Sequence, residues 1–262
     1  MSLEVIDSPR NQHVRFFRSL QRPKGRREHG AFLAEGARLI GEALQAHWPI
    51  KAAAVCEELL GGAAAELAPR LSQGPWPCWR MSERAFRALS AEETPQGVAI
   101  AAEARLVPLS SLSPQAGELI VGVWELRDPG NLGTLVRTAE FFGCRAMVAI
   151  GDCVDFFDPK TVRATAGAVF HLPLASAAPD EVLAWAREHD VVVVAAAASR
   201  GAPPEQVSVQ RPALLLIGSE AHGLPSEVEA AADLRVTLPR RGKVESLNAA
   251  VAGAICLSYL AR

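Results

Sequence analysis

The chain is short of most features that announce a chemistry at once. Its five cysteines, Cys56, Cys78, Cys144, Cys153 and Cys256, never fall in Cys-x-x-Cys spacing, and no His, Cys and Asp cluster has metal-ligand spacing. Redox motifs and metal sites are therefore not expected, and the odd cysteine number suggests reduced thiols. No Gly-x-Gly-x-x-Gly follows an apolar run and no Walker pattern occurs, which removes the main support for dinucleotide or NTP binding. There is no internal repeat and no low-complexity tract. The apolar stretch over 247–261 carries Asn248, Ser258 and Tyr259 and is too short for a bilayer. Met1-Ser2-Leu3-Glu4 lacks the charged-then-apolar pattern of a signal peptide. These absences predict a cytoplasmic protein with no metal and no membrane partner.

Charge is also scarce as a net quantity. A balance of −2 argues against a protein that coats nucleic acid indiscriminately. Its distribution is uneven. Seven basic residues, Arg10, Arg15, Arg18, Arg22, Lys24, Arg26 and Arg27, occur with no acid among them, and Arg235, Arg240, Arg241 and Lys243 repeat the pattern near the other end. Such clusters bind phosphates in proteins of neutral overall charge, although a solvated helix face explains either one taken alone.

A length of 262 residues suffices for one large or two ordinary domains. Helical spacing predicts helices over 13–21, 36–47, 57–71 and 83–89, and short apolar runs predict strands over 31–35, 50–56, 77–81 and 98–102. The basic run between the first helix and the first strand has little reason to be buried. This alternation describes an α/β module of about 100 residues, a usual domain size. Residues 106–117 have the Pro and Ser content of a linker. Beyond it, strands are predicted over 119–124, 146–150, 191–197, 213–217 and 234–238, with helices over 132–142, 159–166, 180–188 and at the C-terminus. The continuous Val191-Val192-Val193-Val194 and Leu214-Leu215-Leu216-Ile217 runs suit a parallel sheet covered on both faces. The expected division is 1–107, a linker over 108–117, and 118–262.

Two constellations carry candidate chemistry. In the first, Asp128-Pro129-Gly130-Asn131 forms a tight turn leaving a strand, with Asn131 placed to cap the next helix and Arg137 nearly two turns further on. An arginine between Val136 and Ala139 on a half-buried helix needs a partner. A phosphate or carboxylate would serve, and so would Glu140 or Glu220. In the second, the strand ending at Ile217 runs into Gly218-Ser219-Glu220-Ala221-His222-Gly223. Leu238-Pro239-Arg240-Arg241-Gly242-Lys243-Val244-Glu245-Ser246-Leu247-Asn248 then opens a long apolar helix. Open α/β sheets bind ligands at such strand ends, and helix mouths receive anions. Ser246 is a plausible N-cap. His222 is the one histidine worth testing, with an ordinary loop role the simpler alternative.

Asp128 to Ala139, Gly218 to Leu224 and Val244 to Ala252 resemble, in order, the three motifs of the SpoU/TrmH family of RNA 2′-O-ribose methyltransferases, in the SPOUT class. Ile6-Asp7-Ser8-Pro9-Arg10-Asn11 and Phe32-Leu33-Ala34-Glu35-Gly36 resemble the small substrate-binding domain, similar to a ribosomal protein, that rRNA-modifying members carry in front. The match departs at Thr134, where alanine is common, and at Thr165, where serine is more usual. The resemblance implies an α/β C-terminal SPOUT-type sheet closed by a trefoil knot, a smaller N-terminal α/β domain and a homodimer. It implies S-adenosylmethionine held near Ile217, Gly218, Leu238, Pro239, Ser246 and Leu247, and a catalytic set of Asn131, Arg137, Glu220, Ser246 and Asn248. RNA, rRNA above tRNA, is the implied substrate, with Arg10, Arg15, Arg22, Lys24, Arg26 and Arg27 as its contacts outside the site. A non-catalytic RNA-binding protein of the same fold is the alternative.

Overall fold

The structure, a computed structural model, describes residues 5–261. Met1-Ser2-Leu3-Glu4, on which the expectation about a signal peptide rests, lies outside them. Two compact units emerge, and their division differs from the expected one. Residues up to 105 gather with 157–170, while 106–156 gather with the chain from 171 onward.

The first unit holds α1 (Gln12–Ser19), α2 (Pro23–His29), β1 (Ala31–Glu35), α3 (Ala37–Gln45), β2 (Ile50–Val55), α4 (Ala63–Ser72), β3 (Cys78–Arg80), α5 (Glu83–Leu89) and β4 (Val98–Glu103). Its sheet has the order β1-β4-β2-β3, antiparallel except for the β2/β3 pair. Strand alternation sends Ala31, Leu33, Ala52, Ala54, Ala99 and Ala101 into one core with Val14 and Phe17 of α1, Leu20 at its C-cap, and Phe86 and Leu89 of α5. On β1 the intervening residue is Phe32, fully buried, and its ring stacks on Phe157 at 4.8 Å and Phe170 at 5.9 Å. The segment carrying those rings, with α7 (Pro159–Thr165) inside it, thus completes the first unit, although the sequence places it within 118–262.

Two further expectations need correction here. The basic run folds as α2, with Pro23 in its first turn and Gly30 closing it at φ 54°. Gly25 lets that helix approach α1, since a Cβ there would lie 2.2 Å from the Ser19 carbonyl oxygen. Arg26 is consequently buried, 3% exposed, where Nη1 donates to Leu20 O at 3.2 Å and Nη2 lies 3.9 Å from Asp158. The helix expected over 57–71 is broken: Glu57–Leu59 makes a single 3-10 turn, and α4 starts only after Gly62, at φ 49°.

The second unit holds β5 (Leu119–Trp124), α6 (Pro129–Phe141), β6 (Ala146–Ile150), β7 (Leu174–Ala177), α8 (Pro179–Glu188), β8 (Val192–Ala196), β9 (Ala213–Ile217), α9 (Ser226–Ala231), β10 (Leu234–Val236) and α10 (Ala249–Leu260). Its six strands lie in the order β10-β8-β9-β5-β6-β7, every pair parallel. The expected linker is not a loose spacer. Val107 N donates to Leu174 O at 2.8 Å, and Leu112 is buried in the core with Ile120, Trp185 and Leu214. The short edge strand β7 and the short helix α9 have no counterpart among the elements expected from the sequence. Among the described residues no helix is long and apolar enough to cross a membrane.

Candidate active site

The carboxyl ends of β8, β9 and β10 meet the entrance of α10 around a cleft of about 1010 Å³. Parallel strands leave their ligand crevice at this edge. The wall includes residues 196–199 after β8, Ile217 and Gly218 at the end of β9, the turn over 219–223, Leu238 to Arg241, and Val244 to Ala249. All six residues expected to hold the cofactor therefore line one cavity.

The turn after β9 is closed by its own backbone. Ser219 N donates to Gly223 O at 3.1 Å and Gly223 N to Ser219 O at 2.9 Å. Gly218 makes this possible, because a Cβ there would lie 2.1 Å from the Gly223 carbonyl carbon. The closed turn leaves Glu220 and His222 exposed.

The caps differ from those expected. Asp128, not Asn131, caps α6, its Oδ1 accepting from Asn131 N at 2.7 Å, with Pro129 in the first turn. Asn248, not Ser246, caps α10, its Oδ1 accepting from Ala250 N at 3.0 Å and Val251 N at 3.2 Å. The displaced residues are free for other work. Asn131 Nδ2 donates to Glu220 Oε1 at 2.8 Å, and Asn248 Nδ2 donates to Asn131 Oδ1 at 2.8 Å. Asn131, Glu220 and Asn248, which are 89 and 117 residues apart by pair, form one hydrogen-bonded chain. Ser246 lines the cleft and is exposed.

Arg137 is not drawn into this chain. It sits on α6 about 9 Å along the axis from Asn131, on the exposed face of a helix that is half-buried as expected. Among the described residues it pairs with neither Glu140 nor Glu220, and it is not part of the cleft wall. The cleft wall also includes residues that the sequence did not flag, the small side chains at 196–199 and Cys256. Burial pushes the Cys256 thiol up to about 11, so it is protonated and unreactive at neutral pH. Arg240 and Arg241, visible in the sequence as part of a basic cluster, also lie in the wall.

The cleft suits the cofactor that the resemblance implies. Its volume is enough to admit a nucleoside-sized ligand. Ile217, Leu238 and Leu247 offer apolar surface, with Leu247 53% exposed, beside the side-chain-free backbone of Gly218. Of the expected RNA contacts, Arg10, Arg15, Arg22, Lys24 and Arg27 are exposed. Arg26 is not, because its guanidinium is enclosed within the first unit.

Comparison with known proteins gives the same outline. The SpoU rRNA Methylase family model matches residues 118–258, and that of the MRM3-like substrate binding domain matches residues 11–100. The chain is 31% identical to the 23S rRNA (guanosine(2553)-2′-O)-methyltransferase RlmP of Bacillus subtilis, over 98% of this chain and 99% of that protein. Its fold superposes on an AdoMet-bound rRNA methyltransferase from Sinorhizobium meliloti with a TM-score of 0.88 and 32% identity, covering 97% of this chain and 96% of the other. A second AdoMet complex, of the SpoU methyltransferase AviRb from Streptomyces viridochromogenes, gives a TM-score of 0.86 and 28% identity over 95% and 97% of the two chains. With a family model matching residues 118–258, a full-length relative at 31% identity and the same fold in solved structures, the chain belongs to the SpoU rRNA methylase family.

Proposed function

We propose that this protein transfers a methyl group from S-adenosylmethionine to the 2′-hydroxyl of a ribose in ribosomal RNA. The observation that carries this reading is the hydrogen-bonded chain Glu220–Asn131–Asn248, which joins all three motif segments and brings Glu220 and Asn248 to the cleft wall. When bound, the cofactor supplies an electrophilic methyl group on a sulfonium. Ile217, Gly218, Leu238, Pro239, Ser246 and Leu247 hold it, chiefly through apolar surface and backbone.

The residues around it have to align the ribose oxygen, and alignment alone supplies several kcal/mol of barrier reduction. Asn248 is fixed as a helix cap and Asn131 is held between Asn248 and Glu220, so their amide orientations are set before RNA arrives. Ser246, exposed in the same wall, is the free hydroxyl that meets the ribose. The planar fork of the Arg137 guanidinium suits it to anchor an RNA phosphate and to stabilise the developing alkoxide.

The working form is a homodimer in the cytoplasm, with the last segments threaded as a trefoil knot. Exposed Phe141 and Val251 on α6 and α10, with Val244 and Leu247 just before α10, support a second copy packing here. A second copy also explains why Arg137 is exposed and unpaired in the single chain.

Calorimetric titration with S-adenosylmethionine and methyl transfer to rRNA test the reading together. Arg137→Ala should abolish transfer and leave cofactor affinity nearly unchanged. Absence of cofactor binding by the intact protein would favour a non-catalytic RNA-binding role, and transfer to tRNA in preference to rRNA would reassign the substrate.

A further inference from the structure

The first unit carries a surface that the active-site reading does not use. His13 on α1 stacks face to face on Trp79 of β3, with ring centroids 4.0 Å apart and planes at 22°. One helical turn along α1, the Phe16 ring meets His29 edge-on at 4.9 Å. All four rings are partly exposed. Trp79 and Phe16 pack against the core of the unit, so the rings are anchored from below. In the same stretch of chain Arg10, Arg15, Arg18, Arg22, Lys24 and Arg27 are exposed, and among the described residues none makes a side-chain ion pair. No acid interrupts the run from Ser8 to Arg27.

Unpaired cations at this density attract a polyanion, and flat rings among them add what a phosphate backbone alone does not need. A duplex keeps its bases stacked on each other and offers rings nothing to stack on. An unpaired strand offers base faces, and aromatic side chains in a basic field are the platform that receives them. An acidic protein partner would satisfy the cations and leave the rings unused. We infer that the α1/β3 surface binds single-stranded RNA, with a base stacking on His13 over Trp79 and the backbone following the arginines of α1 and α2. This rests on the proposed function for its choice of RNA. It adds that the substrate is engaged at an unpaired loop or strand, by residues that are not part of the cleft wall.

The test uses the full chain and two RNA probes, a single-stranded oligonucleotide and a fully paired, blunt-ended two-strand duplex of the same composition, with binding followed by fluorescence anisotropy at several salt concentrations. His13→Ala should weaken the single strand about tenfold or more and leave the duplex nearly unchanged. His13→Phe, which keeps a ring, should restore most of that loss. Arg15→Ala with Arg18→Ala should weaken both probes and flatten the salt dependence by about 0.7 for each phosphate of the single strand that is no longer neutralised. Equal losses for both probes in His13→Ala, or no rescue by His13→Phe, would overturn the stacking platform. Equal binding of both probes by the unaltered protein would overturn the choice of single-stranded RNA, and preferential capture of a polyglutamate peptide would point to a protein partner. Cofactor titration of the same variants keeps the two readings apart. Normal cofactor affinity with unchanged RNA binding sinks this inference alone, whereas loss of cofactor binding by the unaltered protein sinks the methyltransferase reading alone.

Discussion

The side-chain amide of Asn131 is used at both ends: its nitrogen donates to Glu220 and its oxygen accepts from Asn248, each at 2.8 Å. That arrangement fixes which atom is which and ties the start of α6 to the turn after β9 and the start of α10. Asn131→Ala removes both bonds, and Asn131→Asp turns the first into a contact between two carboxylates. Both variants should lower kcat, by about 100-fold for a misplacement of the order of 1 Å. Asn131→Asp should be the more damaging because like charges now face each other. Equal kcat for Asn131→Asp and the unaltered protein would remove the positioning role.

Gly218 gives a second prediction. A methyl group there would lie 2.1 Å from the Gly223 carbonyl carbon and 2.4 Å from its oxygen, so the turn over 219–223 has to open. Gly218→Ala should reduce cofactor affinity more than it reduces thermal stability, because the turn is exposed while its floor, β9, is buried. Calorimetry beside a melting curve separates the two. Unaltered affinity would mean that the turn does not shape the cleft.

Phe32 reports on the inserted segment. It is fully buried against Phe157 and Phe170. Phe32→Ala should cost about 3–5 kcal/mol, the usual range for emptying such a site. In denaturant titrations the double variant Phe32→Ala with Phe157→Ala should lose less than the sum of the two single losses, because both remove the same ring contact. Strict additivity would argue against the stack.

Glu35 gives a pH-dependent effect. Burial, the largest cause, and the neighbouring Glu92 raise its carboxyl above the usual 4.5, against hydrogen bonding by the Ala91 amide and the charge of Arg163. A raised value in the folded state means that the folded protein holds this proton more tightly than the unfolded chain. Its contribution to stability is therefore complete below pH 4.5 and is lost as pH rises through the folded value. Glu35→Gln keeps an acceptor for Ala91 and removes the titration. Its urea midpoint should fall less than that of the unaltered protein as pH is raised from 4.5, and parallel profiles would refute the assignment.

Where side-chain pattern and environment agree, the sequence is a good guide. The strands over 119–124, 146–150 and 213–217 match β5, β6 and β9, because continuous apolar runs suit strands buried on both faces. The convergence of Asn131, Glu220 and Asn248 is legible in the sequence as three motifs, but not as one hydrogen-bonded chain. Their caps are easily misassigned because Asp128 and Asn248 compete with Asn131 and Ser246 for the same role, and only backbone geometry decides between neighbours of equal propensity. Arg26 is the opposite case. Its charge predicts solvent, while its burial follows from Gly25 admitting α2 close to α1, an approach without a sequence period. Arg137 misleads in the other direction, since apolar neighbours in sequence need not be neighbours on a helix face. β7 and α9, at 4 and 6 residues, are too short for any periodicity to rise above the background.

The segment 157–170 has a consequence for how the protein is made. N-terminal domains ordinarily settle while the ribosome is still extending the chain. Here the partners of Phe32 and Glu92 come from Phe157, Arg163 and Phe170, so the front of the molecule has to wait, incomplete, until the catalytic half is already well into translation. A gene fragment cut at the composition boundary near residue 105 would encode a piece with a missing wall, and the remainder would carry an orphaned helix. Transplanting the front unit of one such protein onto the remainder of another therefore requires moving two separate stretches of sequence together.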